Sequence, residues 1–272
     1  MNIQRIVAYL FIAAGAITIA AFWTAVGYSL TGYEDIPCTY GENVGIVSMY
    51  GVIDLYDDPE YGVISVDPIV GAIDDLSAND DIETIVLEIY SPGGLASAGE
   101  LVMNALMRSP KNTVALIKED GASAAYLAAT GADTIYATRL SQAGSIGVTA
   151  SYLDSSEKNA KEGVRFVELS SGKFKDMYNP DKPMTEEEKA KFMEAVNKTH
   201  AIFVDMVAEN RGIPREDVQK MADGTSFLAD EALERKLIDK IGDLDTVLTD
   251  LSDGDEYPAV CYYTTTMTVP AE

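Results

Sequence analysis

The feature that most constrains the fold is a regular alternation of strand-like and helix-like segments between residues 44 and 137. Residues 84–89 form an almost continuous apolar run, which is typical of a strand that is covered on both faces. Around this run, strands are predicted at 44–50, 113–117 and 134–137, and helices at 67–76 and 96–107. Such an alternation favours an α/β core built on parallel strands.

A short stretch of small residues, 121–129, surrounds Ser123 at the junction between the strand predicted at 113–117 and a short helix. A hydroxyl at a helix N-terminus lies beside unpaired backbone N–H groups, which stabilise a developing negative charge. Ser123 is therefore a candidate nucleophile. Serine is also among the best N-cap residues, so this stretch alone leaves a purely structural cap open.

Paired glycines follow the buried run, in the sequence Ser91-Pro92-Gly93-Gly94. Glycines at such a position let the backbone approach a ligand and turn its N–H groups outward, which is the outline of an oxyanion hole. A simple strand-to-helix turn is the alternative, because Pro-Gly is common turn chemistry.

A serine nucleophile needs a neighbouring base to take its proton. The chain has one histidine, His200, which lies within a helix predicted at 186–210, and nothing in the sequence places it near Ser123. A lysine serves instead when burial favours its neutral form. Lys173 and Lys175 are candidates, in a polar loop after a strand predicted at 164–169.

These motifs resemble those of the membrane-anchored serine peptidases of the signal peptide peptidase A type, which are relatives of the Clp protease and crotonase fold. The resemblance covers about residues 44–251. Its landmarks occur in the family's order: Ser-Pro-Gly-Gly from Ser91, Ala-Ser-small-small-Tyr around Ser123, Gly-Ser-Ile-Gly-Val from Gly144, and Ser-Gly-x-x-Lys-Asp from Ser171. The fold implied is an α/β, Clp protease/crotonase-like core of repeated ββα units with an N-terminal transmembrane helix.

The resemblance also implies a role for each matching residue. Ser123 would be the nucleophile and Lys175 the general base, which leaves Lys173 as a bystander. The Gly93 N–H would be the oxyanion donor, and Ser145 would help to hold the lysine. No metal or cofactor is expected.

The chain departs from the family at Ala124 and Ala125, where the family usually has two glycines. Alanine is small and a better helix former than glycine, so we expect the turn to survive with an altered pocket shape.

The N-terminal part of the chain contains an apolar run at residues 6–28, with Arg5 before it and no charged residue until Glu34. A run of this length spans a bilayer, and it continues beyond a partial cleavage site at Ala20, which favours an uncleaved anchor. The basic side should stay in the cytoplasm, so the remaining domain is expected outside the cell membrane.

The chain divides into four predicted regions. Residues 1–30 form the anchor, 31–43 a linker, 44–251 the peptidase domain and 252–272 a C-terminal extension. Alternation after residue 258 predicts an added edge strand or a pairing tail.

Composition limits the partners. The chain has 44 acidic and 20 basic residues and a net charge of −24, which repels phosphate backbones, so nucleic acid is not an expected partner. Its two cysteines, Cys38 and Cys261, would be able to pair outside the cytoplasm, although two separate thiols are the alternative. One histidine and no clustered cysteines give a metal site little support.

The sequence therefore predicts a single-pass membrane serine endopeptidase, whose peptide substrates would, by resemblance, include cleaved signal peptides. Three other interpretations stay open: a related peptidase that acts on membrane-protein segments, a crotonase-fold acyl-CoA-binding protein, and an inactive scaffold. The acidic charge, with no basic cluster near the glycines, argues against the acyl-CoA ligand.

A homo-oligomer is also expected, because subunits of the family form a ring or dome that encloses the sites. The helix predicted at 186–210 is a candidate contact, and a helix that only covers its own sheet is the alternative. Its apolar stripe comprises Phe192, Val196, Ile202, Phe203 and Met206. In such a ring, Ser123 and Lys175 would either belong to one chain or come from neighbouring subunits.

Overall fold

The computed structural model describes residues 42–252 and 258–263. In chain order its strands are β1 Val44–Asp54, β2 Val63–Ser65, β3 Thr84–Gly94, β4 Asn112–Ala122, β5 Thr134–Ala137, β6 Gln142–Gly144, β7 Ser226–Leu228, β8 Lys240–Ile241 and β9 Val260–Tyr263. Its helices are α1 Asp67–Ala78, α2 Ala96–Arg108, α3 Ala124–Ala129, α4 Ser156–Lys161, α5 Glu186–Arg211, α6 Arg215–Met221, α7 Ala229–Glu234 and α8 Leu244–Leu251. A 3₁₀ turn covers Pro59–Tyr61.

All strands belong to one mixed sheet, whose main path runs in the order β2-β1-β3-β4-β5-β8 with every pair parallel. β6 pairs parallel with the end of β4 and antiparallel with β7. The central strands are apolar along most of their length because helices connect them and the sheet has a core on each face. The prediction of an α/β core with parallel strands is confirmed.

The larger core lies between the sheet and helices α1, α2 and α3. It includes Ile73 from α1, Val102 from α2 and Tyr126 from α3. The smaller core lies on the other face under α8, where Ile46, Val86 and Leu116 from the strands share one cluster with Val247 and Leu248. This division follows from the two-residue period of a strand, which sends successive side chains to opposite faces.

The segment 164–169, predicted as a strand, is not one in the structure. Its side chains are exposed apart from the half-buried Phe166, and Leu169 is 94% exposed. Pattern alone predicted this strand, but a strand forms only where another backbone accepts its hydrogen bonds, and no described segment pairs with it. Between 145 and 185 the only regular element described is the short helix α4.

The long helix α5 confirms the helix predicted at 186–210. A capping box begins it, with Thr185 and Glu188 satisfying each other's backbone N–H groups, and Gly212 ends it in a left-handed conformation with φ 60°. The predicted apolar stripe is only partly correct. Phe203 is buried together with Val204 and Val207, whereas Ile202 is 54% exposed.

The C-terminal extension contributes an edge strand. β9 pairs in parallel with the first half of β1, from Val44 to Val47. Its Cys261 is disulfide-bonded. Cys38 lies outside the described residues, as do the predicted anchor at 1–30 and most of the linker. Within the described ranges, no helix is long and apolar enough to cross a membrane.

Candidate active site

Ser123 lies between the end of β4 and the start of α3. Its backbone has φ 53° and ψ −124°, a conformation with positive φ that residues other than glycine rarely adopt. Its N–H donates to the carbonyl of Gly144 on β6 over 2.8 Å, which helps to hold the turn. Although Ser123 stands at the N-cap position, its side chain makes no capping hydrogen bond. The structure therefore removes the cap as an explanation for the hydroxyl.

Gly93 lies directly against this turn. It has φ 100°, and a β-carbon at its position would come within 2.8 Å of Ser123 Cβ and 2.9 Å of the Ala124 nitrogen. Only glycine fits, because both the conformation and the space exclude a side chain. The Gly93 N–H donates to the hydroxyl of buried Ser91 over 3.1 Å. A substrate carbonyl that used this N–H would have to share it with Ser91 or replace that hydroxyl.

The predicted supporting residue, Ser145, also lies beside the nucleophile turn, since it follows the carbonyl that binds the Ser123 N–H. Its own hydrogen bonds are made to the loop before β7. The Ser145 hydroxyl donates to the Gly224 carbonyl over 3.1 Å, and its N–H donates to the Thr225 carbonyl over 2.9 Å. In this chain the hydroxyl therefore braces the loop before β7 and does not contact a lysine.

The two candidate lysines lie on the segment that follows α4. Lys173 forms an ion pair with Glu187. The Lys175 side chain is exposed and forms no hydrogen bond or ion pair with any described residue. Lys175 is not among the described residues that line the cleft at Ser123. The structure thus brings Ser123, Gly93 and Ser145 together, whereas no described contact joins Lys175 to any of them within one chain.

A cleft of about 510 Å³ opens beside Ser123. The first turns of α2, the start of α3, the middle of α5 and the segment after β6 form its walls. All but one of its larger side chains are apolar: Leu95, Leu127, Val148, Ile202, Phe203 and Met206. Its volume lies within the usual range for small-ligand sites, so one large side chain of a bound peptide would fit beside Ser123.

His200 is a helix residue with a partly buried side chain, and its Nε2 atom is buried without a hydrogen-bond partner among the described residues. It does not line the described cleft at Ser123, although its neighbour Thr199 does. Within the described residues, no group of His, Cys, Asp and Glu side chains is arranged to hold a metal ion.

A family model described as "Peptidase family S49" matches residues 105–257, which is more than half of the chain. The chain belongs to peptidase family S49. The match includes Ser123, Ser145 and Lys175, and it begins after Gly93.

Several relatives share roughly the same part of the sequence. A Methanocaldococcus jannaschii protein named as a putative protease is 32% identical over 175 residues, which cover 64% of this chain and 56% of the relative. An Enterococcus faecium protein named as a putative signal peptide peptidase SppA is 32% identical over 164 residues, covering 59% of this chain and 48% of the relative. A Haemophilus influenzae protein named as a probable protease SohB is 28% identical over 182 residues, covering 66% and 50%. The chain thus spans about half the length of these relatives.

A solved structure supports the same fold. The chain is similar, with a TM-score of 0.53 and 14% identity, to the S97A mutant of 1510-N, a membrane-bound stomatin-specific protease. The alignment covers 84% of this chain and 100% of the other. At this identity the likeness concerns the fold alone.

Some contacts around Ser123 have no signal in the sequence. Gly99 lets α2 touch the nucleophile turn, since a β-carbon there would lie 2.2 Å from the Ala124 carbonyl oxygen. Ala124 and Ala125 are both buried, and α3 forms from them, so the turn survives without the family's usual glycines, as expected. Glu100, the residue after Gly99, also lines the cleft. The helical pattern predicted α2 but not what its first turns would touch.

Proposed function

We propose that the chain is a membrane-anchored serine endopeptidase that cleaves peptides through an acyl-enzyme on Ser123. The observation that carries the proposal is the nucleophile turn. Ser123 is held at φ 53°, its hydroxyl caps no helix, and it faces a cleft with Gly93 packed against it. A strained turn of this kind persists only where the surrounding structure holds it, and such turns cluster at functional sites.

In this mechanism the Ser123 hydroxyl attacks the carbonyl carbon of the scissile peptide bond while its proton passes to a neutral lysine amine. The lysine then gives that proton to the leaving amine, and water later attacks the acyl-enzyme by the reverse proton path. The Gly93 N–H and the Ala124 N–H would bind the oxyanion. Ala124 is the first residue of α3, and an N–H in a first helical turn has no acceptor within the helix.

Lys175 is the proposed base, and we infer that a second copy of the chain supplies it. In one chain, Lys175 is exposed and free of described partners. The segment around it also exposes apolar side chains: Leu153 at 85%, Val167 at 60% and Leu169 at 94%. Packing this segment against a neighbouring subunit would cover those side chains, and removing water from the amine would favour its neutral form.

The remaining parts of the proposal rest on sequence. The apolar run at 6–28 supports a single-pass anchor with the catalytic domain outside the cell membrane. We assign the fold to the Clp protease/crotonase-like class of repeated ββα units on the basis of the four motifs. Cleaved signal peptides are the proposed substrates because a relative carries the name signal peptide peptidase.

The test uses the full chain in detergent, a fluorophosphonate probe and a set of internally quenched peptides. We expect the probe to label the wild-type chain and not Ser123→Ala. Hydrolysis should disappear in Ser123→Ala and in Lys175→Ala. Lys173→Ala should keep most of the activity, because the Lys173 side chain forms an ion pair with Glu187. If Lys173→Ala lost hydrolysis and Lys175→Ala retained it, the general base would be Lys173. A folded wild-type chain that is neither labelled nor active would be an inactive scaffold.

A further inference from the structure

The cleft beside Ser123 contains one ionisable side chain among its described lining residues, that of Glu100 on α2. Apolar side chains such as Leu127, Ile202 and Met206 form most of the wall, and the polar groups near them are hydroxyls. A carboxylate on such a wall loses part of its hydration, which costs free energy unless a partner compensates for it.

No described residue is that partner. Glu100 is half-buried and forms no hydrogen bond or ion pair within the described chain. The positions one helical turn away on α2 are Ala96, Ser97, Met103 and Asn104, none of which is cationic. The facing wall on α5 contributes Thr199, Ile202, Phe203 and Met206, which are also uncharged. Within the described chain the carboxylate therefore has no partner, so it is available to pair with a cationic group of a ligand that enters the cleft.

Glu100 is also close to the place where a peptide bond would be cut. Gly99, its neighbour, lies so near α3 that an added β-carbon would be 2.2 Å from the Ala124 carbonyl oxygen. Ala124 directly follows the nucleophile, and both Ser123 and Ala124 line the same cleft as Glu100. A substrate side chain that enters the cleft from the scissile bond therefore comes within reach of the carboxylate.

We propose that Glu100 gives this cleft a preference for peptides that carry lysine or arginine beside the scissile bond. The inference rests on the proposed peptidase function and deepens it by naming the substrate side chain. Lysine and arginine have apolar stems that pack on apolar walls and charged ends that reach a carboxylate. A volume of about 510 Å³ accommodates either side chain. The net charge of −24 also attracts cationic peptides.

The experiment compares two quenched peptides that differ only at one central position, with lysine in one and norleucine in the other. Norleucine keeps the four-carbon stem and lacks the ammonium group, so the ratio of kcat/KM for the two peptides isolates the charge. We expect Glu100→Gln to lower this lysine-to-norleucine ratio at least about tenfold. Mass spectrometry of the products should place the cut beside the varied residue. Glu216→Gln, on the exposed side of α6, is the matched control and should leave the ratio unchanged.

Two hydrolysis results would overturn the inference. An unchanged ratio in Glu100→Gln would show that the carboxylate does not select the substrate. An equal fall for both peptides would show that Glu100 acts on the shared catalytic groups, for example by holding the partner copy's base.

Binding separates a failure of this inference from a failure of the peptidase function. Fluorescence anisotropy on Ser123→Ala needs no hydrolysis, and there the lysine peptide should bind more tightly than the norleucine peptide. That difference should be lost in the double variant Ser123→Ala/Glu100→Gln. Equal binding of the two peptides to Ser123→Ala would refute the preference even in a chain that hydrolyses nothing.

Discussion

Gly93 lies against Ser123 so closely that a β-carbon on the glycine would come within 2.8 Å of Ser123 Cβ. The two residues belong to different strand ends, β3 and β4, which are neighbours in the parallel sheet. Because the carboxyl ends of parallel strands meet at one edge, the glycine turn and the nucleophile turn are brought together there. Any change that moves Gly93 will therefore also move the turn that holds Ser123.

Gly93→Ala should abolish most peptide hydrolysis. The alanine β-carbon would lie 2.7 Å from the Ala122 carbonyl oxygen as well as against Ser123, so the nucleophile turn must shift. A misplacement of about 1 Å at a catalytic group costs about 100-fold in rate. Steady-state hydrolysis of a quenched peptide measures the effect. Gly62→Ala is the matched control, because Gly62 also has positive φ but has no atom within 4 Å of an added β-carbon. Equal losses in the two variants would show that backbone strain, not contact with Ser123, is responsible.

Gly99→Ala should destabilise the fold, whereas Gly71→Ala should stabilise it. Both glycines lie within helices, but a β-carbon on Gly99 would overlap the Ala124 carbonyl oxygen and one on Gly71 would meet no atom within 4 Å. Overpacking costs about 1–3 kcal/mol, and replacing an unhindered helical glycine by alanine gains about 0.5–1 kcal/mol. Thermal unfolding of the two variants gives the sign of each change. A stable Gly99→Ala chain would mean that α2 and α3 separate easily.

Co-expression of Ser123→Ala with Lys175→Ala should restore activity if the dyad is shared. Each variant lacks one group, and random assembly leaves roughly a quarter of the contacts with an intact serine opposite an intact lysine. Hydrolysis by the purified mixture, relative to each variant alone, measures the recovery.

The control for that mixture replaces Lys175→Ala by the double variant Ser123→Ala/Lys175→Ala, which supplies no intact serine. No recovery together with a monomer by light scattering would refute both the oligomer and the shared site. No recovery in a confirmed oligomer would place the dyad within one chain.

Glu188→Gln should lower the melting temperature at neutral pH and lower it much less at pH 2. Lys182, 2.7 Å away, and the N–H and hydroxyl of Thr185 hold the pKa of Glu188 at about 2, below its ordinary value of 4.5. The stabilisation is therefore complete above about pH 4.5 and is lost as the pH falls through about 2. We expect a difference of about 2–4 °C at pH 7 that shrinks as the pH falls through this range.

The control for Glu188 is Glu186→Gln, in the same first turn of α5 but without a partner in the described residues. It should have a smaller effect at pH 7. A Glu188→Gln difference as large at pH 2 as at pH 7 would show that the side chain's packing, not its charge, stabilises the turn.

Local sequence predicted the central strands and the longer helices. The runs at 84–89 and 113–117 are strands because apolar residues buried on both faces suit a central parallel strand, and both strands extend several residues further than predicted. The prediction of a strand at 164–169 was wrong because the pattern of a single segment does not show whether it has a neighbouring strand. Its pattern is that of a strand, but a strand also requires a neighbour, and the described chain gives it none.

The sequence by itself determined the α/β order of the chain, the glycine turn at Gly93 and the serine turn at Ser123, because these depend on residues close together along the backbone. Only the tertiary structure decided that the Ser123 hydroxyl caps no helix, that Lys175 makes no contact with it in the described chain, and that Glu100 lines the cleft without a described partner. The turn at Ser123 is held by the carbonyl of Gly144, and the surroundings of Lys175 and Glu100 likewise depend on groups far apart in the sequence. Propensity and periodicity describe how a segment folds, but the packing of the whole sheet and its helices determines which side chains meet.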